Sequence, residues 1–260
     1  SNWSPIKVEG LRQIDRLTAR LTHPYFVACS HYVKKSFQKR LNLAESQIKV
    51  IYNATDPEPL KCAEGDARRL RRDLEIPADG FVYLTTGRLV ESKNHALLLR
   101  VFPQVLAAVP QAYLVIVGAG DLEKELKELA DTLGISRRVF FLGRRNDVGA
   151  CLQMADVFVF PTLLEGLSLA LVEAMFKKLP CAASDIEVLH EVLTDGETGL
   201  LFNPNELDEL AATMIKLFRQ PELRQRLGEQ AFQDAERRFH IRAIASEWED
   251  FYRFVISQTK

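Results

Sequence analysis

Little in this sequence ties it to a nucleic acid, a membrane span or a metal. Its 34 Lys and Arg are balanced by 35 Asp and Glu, for a net charge of −1. No global field therefore draws it to DNA or RNA. No apolar run approaches the ~20 residues that a membrane-crossing helix needs. The opening residues SNWSPIKVEG hold no apolar stretch of the secretory-signal kind. Cysteines are few and far apart, at Cys29, Cys62, Cys151 and Cys181, with no CxxC pair and none at metal-ligand spacing from a histidine. Cys29 and Cys181 sit inside apolar, strand-like runs, so they read as small core side chains in a reducing, cytoplasmic compartment. His23, His31, His95, His190 and His240 form no cluster, and no Asp-x-Asp pair is present. Neither a metal nor a cofactor is expected. Internal repeats and low-complexity tracts are also missing.

What is present is a soluble globular composition, 47% hydrophobic and 27% charged over 260 residues. A chain of that length can bury roughly 70–75% of its unfolded surface without disulfides. From Phe81 onward, β-rich runs alternate with helical stretches. The strand candidates are FVYLTTG from Phe81, AYLVIVGAG from Ala112, VFFLG from Val139, VFVFPT from Val157, PCAAS from Pro180 and GLLF from Gly199. Several are apolar at consecutive positions, as in strands covered on both faces. Between them, residues 94–109 and 121–133 carry leucines and valines at helical spacing, and Gly134 stops the second helix. Helices are also predicted over 206–218, 221–239 and 241–257. The alternation predicts an α/β fold, a Rossmann-like parallel sheet with helices on both faces.

The beginning reads differently. FVACS, a helix from His31 to Leu41, and IKVIYNA make one β-α-β piece, which cannot close a core alone. The expected organisation is a remnant of a preceding, N-terminal domain over residues 1–55 and a second domain over 56–238. A last helix is expected over 239–260.

The most informative stretch runs from Phe160 to Met175. A strand ends at Phe160, a loop follows, and a helix starts near Ser168, a good N-cap. Amides of Gly166, Leu167, Ser168, Leu169 and Ala170 are expected to be free there, and with the helix dipole they favour an anion such as phosphate. Glu165 precedes the helix and Glu173 lies about one and a half turns inside it. Carboxylates beside a phosphate site suit sugar hydroxyls, so the pair suggests two polyol groups flanking a diphosphate. The plainer alternative is a solvated helix residue and a loop charge, and spacing does not separate the two. A second strand–loop–helix junction, Gly87 to Asn94, carries Arg88 and Lys93 at the same sheet edge. Arg offers a planar fork to phosphate oxygens and Lys a point charge.

Together, Gly87-Arg88 with Lys93, Val117-Gly118-Ala119-Gly120, Phe141-Leu142-Gly143, Glu165-Gly166 with Glu173, and Asp195 to Leu201 resemble glycosyltransferase family 4, of the GT-B fold. The glutamates match that family's E-x7-E spacing. Val50 to Ala54 resembles the strand closing the family's first domain, with Ala54 where Gly is usual. The resemblance implies a retaining transferase that moves a sugar from a nucleotide-diphosphate sugar, UDP- or GDP-linked, to a glycan or lipid-linked acceptor. It implies that Arg88 and Lys93 hold the diphosphate, that Glu165 and the amides after it hold the transferred sugar, and that Glu173 accepts from ribose hydroxyls. Arg88, Lys93 and Glu165 are the implied catalytic set. Amides near Leu169 and Ala170 reach the distal phosphate, while Leu142, Gly143 and Arg144 border the base with Gly118 nearby. These 260 residues alone are expected to bind donor without full transferase activity.

Two rivals share the architecture, a nicotinamide dehydrogenase and a sugar-nucleotide epimerase. The dehydrogenase fingerprint fails at Glu123, where its third glycine belongs. A third reading is a non-catalytic nucleotide-sugar-binding subunit. Arg68, Arg69, Arg71 and Arg72 read as a solvated helix face. Lys34, Lys35, Lys39 and Arg40, beside Tyr32 and Phe37, read either as another such face or as a weak peripheral contact with anionic lipid. Glu187 and Glu191 read as helix-surface charges.

Overall fold

The computed structural model describes Asp15, Thr18 and residues 25–258. The chain divides into two units. One holds the described residues up to Asn53 together with the segment from Arg242, and the other is Ala54–Ile241.

In the smaller unit, β1 (Phe26–Ala28), α1 (His31–Leu41) and β2 (Ile48–Val50) form a β-α-β crossover, with Phe26 opposite Ile48 in a parallel pair. Ser30 caps α1 by accepting from the Val33 amide at 3.1 Å, and Asn42 ends it in the left-handed conformation. Two of the basic groups on α1 are engaged, Lys34 with Glu45 and Arg40 with Asp15. Cys29 is half-buried at the end of β1 rather than sealed in a core.

The larger unit contains α2 (Glu64–Asp73), β3 (Phe81–Thr86), α3 (His95–Ala108), β4 (Ala112–Val117), α4 (Glu123–Thr132), β5 (Val139–Phe141), α5 (Val148–Met154), β6 (Val157–Phe160), α6 (Leu169–Phe176), β7 (Cys181–Ser184), β8 (Leu200–Phe202), α7 (Leu207–Arg219) and α8 (Pro221–Arg238). α9 (Ile241–Gln258) follows, and in the smaller unit its Phe254 ring meets Tyr25 edge-on at 5.2 Å. The β3–β8 sheet has the order β5-β4-β3-β6-β7-β8, with every pairing parallel. All residues of β3, β4, β6 and β7 are buried, which is why their sequences run apolar instead of alternating. Phe81, Tyr83, Leu114, Ile116, Val157 and Val159 point into one layer with α3, α4 and α7. The opposite face is covered by α5 and α6. α4 ends where predicted, because Gly134 takes φ +68, a conformation that L side chains rarely adopt. No described helix is long and apolar enough to cross a membrane.

Two departures from the sequence reading have physical causes. α5 went unmarked because Gly149, Ala150, Cys151, Leu152 and Met154 are all buried, leaving no polar face to create a helical period. The arginine run on α2 is not a solvated face throughout. Arg71 donates to Met154 O at 2.8 Å, to Gly80 O at 2.9 Å and to the Asp156 carboxylate at 2.8 Å. Asp156 in turn accepts from the Val82 amide at 2.8 Å, so one guanidinium ties α2 to the starts of β3 and β6. Removing it takes this donor from two carbonyls and from a carboxylate that keeps the Val82 amide. Arg71→Ala should lower the unfolding free energy by about 2–3 kcal/mol. Arg72→Ala, on the exposed side of the same helix, should change it by less than about 0.5 kcal/mol. Urea titrations with matching midpoints for the two variants would refute the bridging role.

Candidate functional site

The strand order reverses between β3 and β6. The chain lays down β3, β4 and β5 in one direction, then returns to add β6, β7 and β8 on the other side. The loops leaving β3 and β6 therefore diverge at the carboxyl edge and open a crevice between them, the usual ligand position in an open parallel sheet. These are the two junctions that carry the candidate charges.

The crevice walls are laced together. Ser92 O accepts from the Leu163 amide at 2.8 Å and from Thr162 Oγ1 at 3.0 Å. Lys93 Nζ forms an ion pair with Glu165 Oε1, and the Phe160 ring lies 5.5 Å from the ammonium. The lysine and glutamate side chains are 16% and 10% exposed, so the pair is largely shielded. The sequence reading sent Lys93 to phosphate and Glu165 to a sugar, and the fold sets the two in contact.

Ser168 does cap α6, accepting from the Leu171 amide at 3.3 Å. Among the described residues, the amides of Gly166, Leu167, Ser168, Leu169 and Ala170 donate to no protein acceptor. Arg88 is exposed on the facing loop, and among the described residues its guanidinium meets no carboxylate. Glu173 is half-buried on α6, and burial raises its carboxyl above the usual range. Arg144 is exposed past β5, with Leu142 and Gly143 half-buried beside it. Gly118 plays a structural part: its amide donates to Gly143 O at 2.8 Å, and a Cβ there would lie 1.8 Å from Gly87 O. Its value is close approach of two backbones, since its own N–H is occupied. The Gly87 amide is likewise committed, to Val117 O at 2.9 Å.

Beyond geometry, residues 66–234 match the family model described as glycosyl transferases group 1. The chain belongs to the glycosyl transferases group 1 family. Among curated relatives, the Escherichia coli UDP-Gal:alpha-D-GlcNAc-diphosphoundecaprenol alpha-1,3-galactosyltransferase is 30% identical over 182 residues, 69% of this chain and 47% of that one. The Bacillus anthracis N-acetyl-alpha-D-glucosaminyl L-malate synthase is 26% identical over 96% of this chain and 62% of its own length. Among solved structures, Anabaena HepE in complex with UDP and glucose superposes with a TM-score of 0.84 at 24% identity, over 93% of this chain and 67% of that chain. That likeness establishes the GT-B fold. The chain spans about half the length of the first curated relatives it matches.

Site residues of this group 1 member that sequence reasoning passed over lie beneath the loop of Arg88. His95, weighed only as a metal ligand, opens α3 and is 3% exposed. Its Nε2 lies 3.3 Å from Arg88 O, and its Nδ1 is buried without a partner among the described residues. Burial pushes its imidazole down to about 4, the Arg88 carbonyl opposing and the Lys93 ammonium assisting. A signal was available: His95, Leu98, Leu99 and Phe102 share one helical face, and all are buried. Asn94, at φ +53, turns the chain into α3, a conformation that asparagine tolerates.

The raised Glu173 carboxyl has a consequence for stability. Folding disfavours its ionised form, so the native state holds its proton to higher pH than the unfolded chain does. This contribution therefore falls as pH rises through the window above the ordinary carboxylate range. Glu173→Gln carries no such penalty. Its melting temperature should exceed that of the wild type at neutral pH, and the two should converge as pH falls to about 4. A gap independent of pH would show that the carboxyl is not strained by burial.

Proposed function

We propose that this chain is the donor-binding part of a retaining glycosyltransferase of family 4, one that takes a sugar from a UDP-sugar and passes it to a glycan or lipid-linked acceptor. The observation that carries this reading is the joining of the two switch-point loops. It sets Lys93, Glu165, the uncommitted amides of Gly166 to Ala170, and Arg88 around one crevice. UDP is favoured as the carrier because it is bound in HepE and named as the donor nucleotide of the Escherichia coli relative. Retention is what the resemblance to family 4 implies, and the spacing of Glu165 and Glu173 supports that resemblance.

In this reading the uncommitted amides and the positive end of α6 receive one phosphate, and Arg88 forks onto the other. Lys93 has three hydrogens and Glu165 four lone-pair positions, so the pair need not open to work. The ammonium can face a phosphate oxygen while the carboxylate accepts from a sugar hydroxyl. Negative charge grows on the leaving diphosphate as the bond to the sugar stretches. Fixed cations beside it stabilise that charge more than the ground state, which is what accelerates transfer. Two resident cations supply what a metal would otherwise provide, so the reading requires no metal cofactor. Glu173, farther along α6, accepts from the ribose hydroxyls.

The test is calorimetric titration of this chain with UDP in EDTA. Binding should persist without divalent ions. Arg88→Ala should weaken UDP strongly and uridine little, and Arg88→Lys should not restore the loss, because the fork is gone. Glu173→Ala should weaken UDP and uridine alike by roughly 2–4 kcal/mol. Binding that requires a divalent ion, or equal losses of UDP and uridine in Arg88→Ala, would overturn the assignment.

A further inference from the structure

We propose that His95 is a positioning residue for the diphosphate site: its imidazole holds the Arg88 carbonyl and so sets where the Arg88 guanidinium and the Lys93 ammonium stand. The inference rests on the reading above that these two cations receive the diphosphate.

The loop leaving β3 is clamped by backbone along the side facing β4. The Gly87 amide donates to Val117 O at 2.9 Å, the Leu89 amide to Ala119 O at 3.1 Å, and the Leu122 amide to Leu89 O at 3.0 Å. A Cβ on Gly120 would lie 2.4 Å from Leu89 O, so nothing larger than glycine fits there. The Arg88 carbonyl is not part of that clamp. It accepts from the Val90 amide at 2.9 Å, a contact within the loop itself, and from His95 Nε2 at 3.3 Å. The imidazole therefore anchors this peptide to α3.

The ring's chemistry fits that task. If Nδ1 carried the proton, the bare lone pair of Nε2 would face a carbonyl oxygen, which is repulsive. The Nε2–H tautomer is therefore the one that satisfies the contact. It leaves Nδ1 buried and, among the described residues, unpartnered, an expense that an apolar residue on the face of Leu98, Leu99 and Phe102 would avoid. Core packing alone thus gives no reason for a histidine here, and the Arg88 carbonyl does. Burial keeps the donor neutral, and the Lys93 ammonium and the positive end of α3 act in the same direction. A Cβ on Gly87 would lie 4.0 Å from His95 Nε2 and 3.8 Å from Lys93 Cγ and Cδ. The ring, the glycine and the lysine stem therefore meet at one point, and movement of the ring is felt by both cations.

The test compares UDP with uridine by calorimetry in three variants of this chain. Glutamine can place an amide N–H near the position of imidazole Nε2, whereas phenylalanine keeps the ring's bulk without a donor. His95→Phe should lose about tenfold in UDP affinity, with uridine unchanged and a native melting transition. His95→Gln should recover most of the loss. In an Arg88→Ala background, His95→Phe should have a smaller further effect on UDP, because only Lys93 is left for it to position. If His95→Phe does not fold, His95→Gln against His95→Asn replaces it, since the shorter amide cannot reach the carbonyl, and the Asn variant should lose UDP selectively. Equal UDP affinity in the donor-bearing and donor-lacking variants, or equal losses of UDP and uridine, would overturn the positioning role. Those outcomes would leave the phosphate site intact so long as Arg88→Ala alone still discriminates UDP from uridine. If Arg88→Ala does not discriminate, the functional reading itself fails first.

Discussion

Lys93 and Glu165 are 72 residues apart in the chain and share an ion pair at the edge of the sheet. That contact depends on β3 and β6 being neighbours, with Tyr83 opposite Val157 and Leu84 opposite Phe158. Their adjacency is the point at which the strand order turns back. Strands on either side send their helices to opposite faces, so the loops between must part. The lacing of Ser92 to Leu163 and Thr162 limits how far they part. The crevice is thus a consequence of topology, and its width is set by a few hydrogen bonds.

The charges there are arranged to be useful without unfolding the site. A lysine in a shielded position without a partner would be expensive, and so would an isolated glutamate. Pairing them removes most of that expense and keeps both at the crevice. Arg88 is treated differently, with its backbone gripped and its side chain exposed to solvent. Burial falls instead on Glu173, along α6, and on His95, beside Lys93. Burial raises the Glu173 carboxyl above its ordinary range, and it lowers the His95 imidazole, which is held neutral. Among the described residues, the site therefore combines one shielded ion pair, one guanidinium without a carboxylate partner and a run of unpaired amides, a constellation suited to an anion carrying hydroxyl groups.

Much of this was legible in the sequence because it is local. Buried strands must be apolar on both faces, which exposed FVYLTT, AYLVIV and VFVF at once. Gly134 after a leucine-spaced helix marked its end. Ser168 ahead of an apolar helix marked an N-cap, and a cap implies free amides whatever the rest of the fold does. α5 was hidden for the complementary reason: a seven-residue helix that is almost wholly buried has no polar side to give it a period. Arg71 was misread because its partners lie on two separate segments, Gly80 ahead of β3 and Met154 with Asp156 ahead of β6. A run of arginines looks the same whether one of them faces water or a set of carbonyls.

The sequence by itself determined most of the elements, their parallel α/β character, and the two junctions that carry the cations and the glutamates. Each of those rests on propensities and periods within about twenty residues. Tertiary structure alone decided which junctions face each other, that Lys93 meets Glu165, that the Gly118 amide is spent on Gly143, and that His95 lies under Arg88. These are contacts between segments whose separation in space is set by strand order. Strand order follows from how the whole sheet minimises exposed apolar surface on both faces, a sum over the chain that no local window contains.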